Sequence, residues 1–174
     1  MSWAVFLRAV NVGKTNRCQP VLIAKQLVRF GMTNIGAVGT FVVRKDVAES
    51  TLRDAIADRL PFRCDIMICP ATEVTSLVAA EPFAGQPSDP DVVRFVSVMA
   101  RKLPGFKPLP LIFPPTGDWS AKLMRIQGPF AIGLYRRHMK AIGYLGKIEK
   151  QLGVPVTTRN WNTIQKVAEV IAKG

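Results

Sequence analysis

The sequence predicts an α+β fold on three observations: short apolar runs of strand length, apolar stripes at helical spacing between them, and the order in which the two kinds of segment alternate. With 174 residues, 48% of them hydrophobic and 21% charged, the chain can bury a real core. That length permits one domain of average size or two small ones.

Trp3-Ala4-Val5-Phe6-Leu7 is an apolar run that ends at Arg8, and the turn-forming stretch Asn11 to Asn16 follows it, which predicts a buried strand and then a loop. From Val21, the residues Leu22, Leu27, Val28 and Phe30 mark one face of a helix that ends on Gly31. Ile35 to Val38 and Phe41 to Arg44 flank Gly39-Thr40 and predict a hairpin. Asp46 and Glu49 have the spacing of a capping box for the next helix, whose buried stripe is Leu52, Ala55, Ile56 and Leu60. In Asp65 to Cys69 the run Ile66-Met67-Ile68 is continuous, the pattern of a strand covered on both faces. The order βαββαβ is that of the split βαβ, or ferredoxin-like, unit: an antiparallel sheet with two helices on one face.

A short helix over Thr72 to Ala80 is expected next. Residues 81–90 then hold three prolines and a glycine and read as a linker between a domain at 1–80 and a second α+β domain at 91–174. The second half opens on a strand, Val92 to Val98. Pro104 to Pro115 carries five prolines and cannot be a helix interior. Lys122 to Gln127 and Phe130 to Arg136 form a hairpin around Gly128-Pro129, and Leu145 to Leu152 and Asn160 to Lys173 are helical. In the last helix Trp161, Ile164, Ala168 and Ile171 make the buried stripe.

The formal net charge is +12, and residues 88–174 carry most of it, with fourteen Lys/Arg against five Asp/Glu. Such a field attracts phosphate-bearing partners. The odd set Cys18, Cys64 and Cys69 and the lack of a secretory-type apolar core at the start predict a reducing, cytoplasmic setting. No segment nears the roughly 20 apolar residues of a membrane-spanning helix, so no membrane partner is expected.

Three segments resemble the bacterial family catalogued as domain of unknown function 1697: Leu7-Arg8-Ala9-Val10-Asn11-Val12-Gly13, Gly39-Thr40-Phe41-Val42-Val43, and Thr157-Thr158-Arg159-Asn160-Trp161-Asn162-Thr163. The resemblance spans nearly the whole chain. It implies two tandem ferredoxin-like units and no activity; the proline-rich stretch Pro104 to Pro115, standing where the second unit's first helix belongs, is a departure that leaves an incomplete second unit as the expectation. The chain departs from the family pattern at Ala9, where glycine is usual, and at Val38-Gly39-Thr40, which replaces a Ser-Gly-Asn turn.

Candidate chemistry falls into two groups. Gly13-Lys14-Thr15 lacks the glycine five positions earlier that a triphosphate loop needs, since Arg8 stands there. Arg8, Asn11, Gly13 and Lys14 remain candidates for an anion site near a helix start, as do Thr157, Thr158, Arg159 and Asn160 before the last helix. For the latter group the competing reading is an N-cap followed by the core anchor Trp161. Lys122, Arg125, Arg136, Arg137 and Lys140, interleaved with Phe130 and Tyr135 in a stretch without acids, are candidates for nucleic-acid binding, against a plain solvated basic surface. His138 is the only histidine and lies in a basic run, and Cys64 and Cys69 are expected on opposite faces of a strand, so no metal or cofactor is predicted. The leading expectation is a non-enzymatic binder of a phosphorylated or nucleic-acid ligand. Its rivals are an enzyme acting on a small anionic substrate in an inter-domain cleft, and an interaction module using the proline-rich segment or a sheet edge.

Overall fold

The structure is a computed structural model that describes residues 1–174. Its elements follow in the order β1 (Trp3–Leu7), α1 (Pro20–Gln26), β2 (Met32–Ile35), β3 (Thr40–Val43), α2 (Glu49–Ala57), β4 (Ile66–Pro70), α3 (Ala71–Ala79), β5 (Val92–Met99), β6 (Leu111–Phe113), β7 (Ala121–Gln127), β8 (Phe130–Arg136), α4 (Met139–Leu152), β9 (Val156–Asn160) and α5 (Trp161–Ala172). The class is mixed α+β with two antiparallel sheets and five α-helices. The chain divides into two compact units, Met1–Ala79 with Asn162–Gly174, and Ala80–Trp161.

In unit 1 the sheet order is β2-β3-β1-β4 and every neighbouring pair is antiparallel. Alternation along the strands sends Val5, Leu7, Phe41, Val43 and Ile66 to one side. There they meet Ile23, Ala24 and Leu27 from α1 and its end, and Leu52, Ala55 and Ile56 from α2. The alternate residues Ala4, Phe6, Val42 and Met67 are buried as well, which is why these strands read as unbroken apolar runs. Burying each such Leu, Ile or Phe contributes about 1.5–3 kcal/mol. The C-terminal segment belongs to this unit, and the Arg44 guanidinium donates to the Val170 carbonyl at 2.8 Å. The sequence counts that segment with the second half because local patterning carries no information on which core a terminal helix joins.

In unit 2 the order is β6-β7-β8-β5-β9, again antiparallel throughout. Phe95, Met99, Leu123 and Ala131 on one sheet face pack with Ile148 and Leu152 of α4. Gly133 makes room for the Phe95 ring: a Cβ at this position would lie 2.6 Å from that ring and closer still to the Lys122 carbonyl oxygen. On the other face Val96, Val98, Phe130, Ile132 and Leu134 are buried.

Local expectations and structure differ in instructive places. Asp46 does not cap α2; Ala48 holds the N-cap position, Asp46 pairs with the N-terminal ammonium at 2.7 Å and Glu49 pairs with Arg53. The hairpin turn is Gly36–Gly39 rather than Gly39-Thr40, since Thr40 opens β3 in register with Phe6 and Ile35. The proline-rich stretch is not wholly irregular, because Leu111–Phe113 pair with β7 at the sheet edge, the place where prolines are tolerated. The fourth helix starts six residues earlier than its apolar stripe, at Met139, and Cys64 precedes β4 instead of lying on it. Thr157 to Asn160 form a strand that runs directly into α5, so Asn160 both ends β9 and immediately precedes the helix. Their β-branched threonines carry that propensity, but the pairing with β5 is a long-range event.

Candidate functional site

The loop after β1 is built around Asn11. Its backbone is left-handed at φ 56°, a conformation asparagine tolerates better than most residues. Its amide nitrogen donates to the carbonyls of Cys18 at 2.9 Å and Ala37 at 2.6 Å, and its amide oxygen accepts from the Cys18 N–H at 3.0 Å. Both amide hydrogens are thus engaged, and Asn11 ties residues 11–18 to the β2–β3 turn. Arg8 forms a half-exposed pair with Asp65 at 3.4 Å. Gly13 accepts at its carbonyl from Arg17, and Lys14 extends into solvent. Gly39 is fitted against this loop's root: its φ is 83°, and an added Cβ would fall 2.7–2.8 Å from the Leu7 side chain.

Thr157, Thr158, Arg159 and Asn160 lie on β9, beside Val98, Ser97, Val96 and Phe95 of β5. The Thr158 hydroxyl shares a 2.7 Å hydrogen bond with Ser97 Oγ. Arg159 is 7% exposed and donates to Thr157 Oγ1 at 2.7 Å and to the Thr158 carbonyl at 3.1 Å. Desolvation lowers its pKa to about 10, so it stays charged near neutrality. In this segment, then, three of the four candidate residues have hydroxyl or guanidinium groups bonded inside unit 2. Trp161 meets Phe83 edge-on, with ring centroids 5.0 Å apart.

The basic candidates differ in kind. Register places Lys122 opposite Leu134 and Arg125 opposite Ile132, with a bulge between Leu123 and Arg125. Lys122 and Arg136 converge on Trp119, at 4.4 and 4.2 Å from the ring centroid. Arg136 also donates to the Trp119 carbonyl at 3.0 Å and pairs with Asp91 at 3.0 Å. Arg137 is exposed and uses its Nε to donate to the Pro90 carbonyl at 3.0 Å, while its N–H donates to the Asp91 carbonyl. Lys140, in the first turn of α4, is exposed, and that turn holds no acidic residue. The structure therefore gathers Lys122 and Arg136 at Trp119, and sets Arg137 and Lys140 beside them in sequence at the β8–α4 junction. Arg125 lies apart, bonded to Gln127.

The aromatic residues of this stretch pack within unit 2. Phe130 is fully buried, and Tyr135 packs against Phe95 at 5.8 Å. Sequence reasoning missed Trp119, Pro90 and Asp91, which fix the two arginines. The pairing of Val92 with Arg136 brings Asp91 to them, and that register is invisible before β5 and β8 are known to be neighbours.

The three cysteines form no disulfide, and burial raises the pKa of Cys18 and Cys64 above the usual thiol range. No group of three or more His, Cys, Asp or Glu side chains is arranged to hold a metal ion, and no helix is long and apolar enough to cross a membrane.

A family model described as "Protein of unknown function (DUF1697)" matches residues 1–105. Among solved structures, the chain is similar to the conserved bacterial protein SP0830 from Streptococcus pneumoniae, with a TM-score of 0.62 at 13% identity over 98% of each chain. At that identity the likeness is one of fold. A search of curated proteins finds no match.

Proposed function

The chain belongs to the DUF1697 family, and from that premise we propose that it is a non-enzymatic binder of polyanions, nucleic acid foremost, that works through the exposed cations of its second unit. The carrying observation is the β8–α4 junction. Arg136 is held by Trp119 and Asp91, Arg137 is held through Nε alone, and Lys140 follows one turn on at an acid-free helix start. Cations whose backbone and stems are already ordered lose less entropy when they meet phosphates. The helix dipole adds a favourable positive end. Because the aromatic rings nearby are buried or covered, recognition is of the phosphate backbone and carries little sequence preference.

The same reading takes both units as ferredoxin-like, split βαβ modules. Unit 1 has the required chain order and a β2-β3-β1-β4 sheet. In unit 2, β5, β7, β8, α4 and β9 take the corresponding places, and β6 is an added edge strand drawn from the proline-rich segment that stands for the missing helix. Unbridged, partly buried thiols favour a cytoplasmic setting.

Fluorescence anisotropy with a labelled single-stranded RNA tests the reading. Association is expected at 50 mM salt, and each phosphate that a side-chain cation neutralises contributes about 0.7 to the downward slope of log affinity against log salt. Absence of binding at low salt, or binding indifferent to salt, contradicts it.

A further inference from the structure

Helix α4 turns an apolar face outward where the fold of unit 2 has no use for one. Met139 and Ile142, one turn apart, are 89% and 72% exposed, the two most exposed large apolar side chains in the chain. On the 3.6-residue repeat they share that face with Gly143, Gly146 and Lys150, while Ala141, Ile148 and Leu152 point to the core. A Cβ at Gly143 or Gly146 would meet no atom within 4 Å, and neither glycine has a positive φ. Packing and backbone geometry thus leave both positions free for alanine, which would favour the helix by about 1 kcal/mol each.

Exposed Lys140 and Lys147 run along one flank of this face, with Lys150 below Gly146. Lys147 lies over the Tyr144 ring at 5.2 Å, and the helix's single carboxylate, half-buried Glu149, is two turns below Ile142 on the other flank. From the apolar residues, the basic flank and the open glycine notch together, we infer that this face docks an amphipathic helix of another protein, with an apolar seam and acidic residues along one edge. Glycines let two helix backbones approach closely, and Met139 and Ile142 supply the apolar contact. The lysines select an acidic partner and oppose a second copy of this chain, whose own three lysines would be brought against them. A lipid surface would account for the lysines and the apolar pair but not for the glycines, and a nucleic acid would leave Met139 and Ile142 without a role.

The test is titration of the full chain, isotope-labelled at methionine and isoleucine methyls, with a synthetic helical peptide carrying a Leu/Ala seam and glutamates on one flank. The same peptide with lysines on that flank serves as the comparison. Shifts at Met139 and Ile142 with the glutamate peptide only are expected, with affinity about tenfold weaker in Gly143→Ala/Gly146→Ala, a substitution that raises Tm through helix propensity. The inference is overturned if the two peptides bind alike or neither binds, or if the double alanine variant binds as the parent does. It is also overturned if Ile142, on the side of the helix away from Lys140, responds instead to phosphatidylserine vesicles, to RNA, or to self-association of the chain.

Discussion

The loop after β1 and the strand β9 differ sharply from the β8–α4 junction. The first two segments carry the most distinctive residue patterns in the chain, yet the side chains of Asn11, Thr158 and Arg159 bond within the fold. Asn11 closes a loop onto a turn, Thr158 bonds Ser97, and Arg159 is held within its own strand. The junction carries an undistinguished run of basic residues, and its cations face outward on a fixed base. On the proposed function, distinctive spacing in this protein records architecture, and the surface that meets a partner is written as charge.

The comparison breaks first if the inward-bonded region proves tolerant to change. Gly39→Ala forces a left-handed alanine into the Leu7 side chain, and a loss of about 3 kcal/mol in chemical denaturation is expected, with the RNA affinity of the folded fraction unchanged. Asn11→Ala removes three hydrogen bonds and puts alanine at a left-handed position, for an expected loss of about 2 kcal/mol by the same measurement. Ala9→Gly sharpens the contrast from the other side. Ala9 is exposed with φ 55°, and glycine relieves that strain, so a gain of about 0.5–1 kcal/mol is expected from thermal unfolding.

Much of the fold was legible where local pattern and long-range packing agree. The continuous run Ile66-Met67-Ile68 announces a strand covered on both faces, and the Leu52, Ala55 and Ile56 stripe announces α2 with its buried side. What was not legible depends on register. Thr157 to Asn160 look like a helix start until β5 is there to pair with them, and Asp91 looks like linker until Val92 is set beside Arg136. The basic residues were found by charge alone. Their division into ring-held Lys122 and Arg136, solvent-facing Arg137 and Lys140, and isolated Arg125 needed the β7–β8 hairpin and Trp119. At Ala9, where the family usually has glycine, the backbone is left-handed, a conformation that the residue's departure from the family pattern did not by itself announce.

One paired measurement bears most directly on the claim that the second unit's exposed cations, and not the patterned loop after β1, meet the polyanion. Lys14→Ala and Arg137→Ala/Lys140→Ala alter solvent-facing side chains, so both chains keep their fold, and each is titrated with the same labelled RNA across salt. The account predicts parental affinity for the Lys14 variant, and for the double variant a fall of about tenfold with a salt slope shallower by about 1–2. The reverse order, with binding abolished in the Lys14 variant and kept in the double variant, would contradict it.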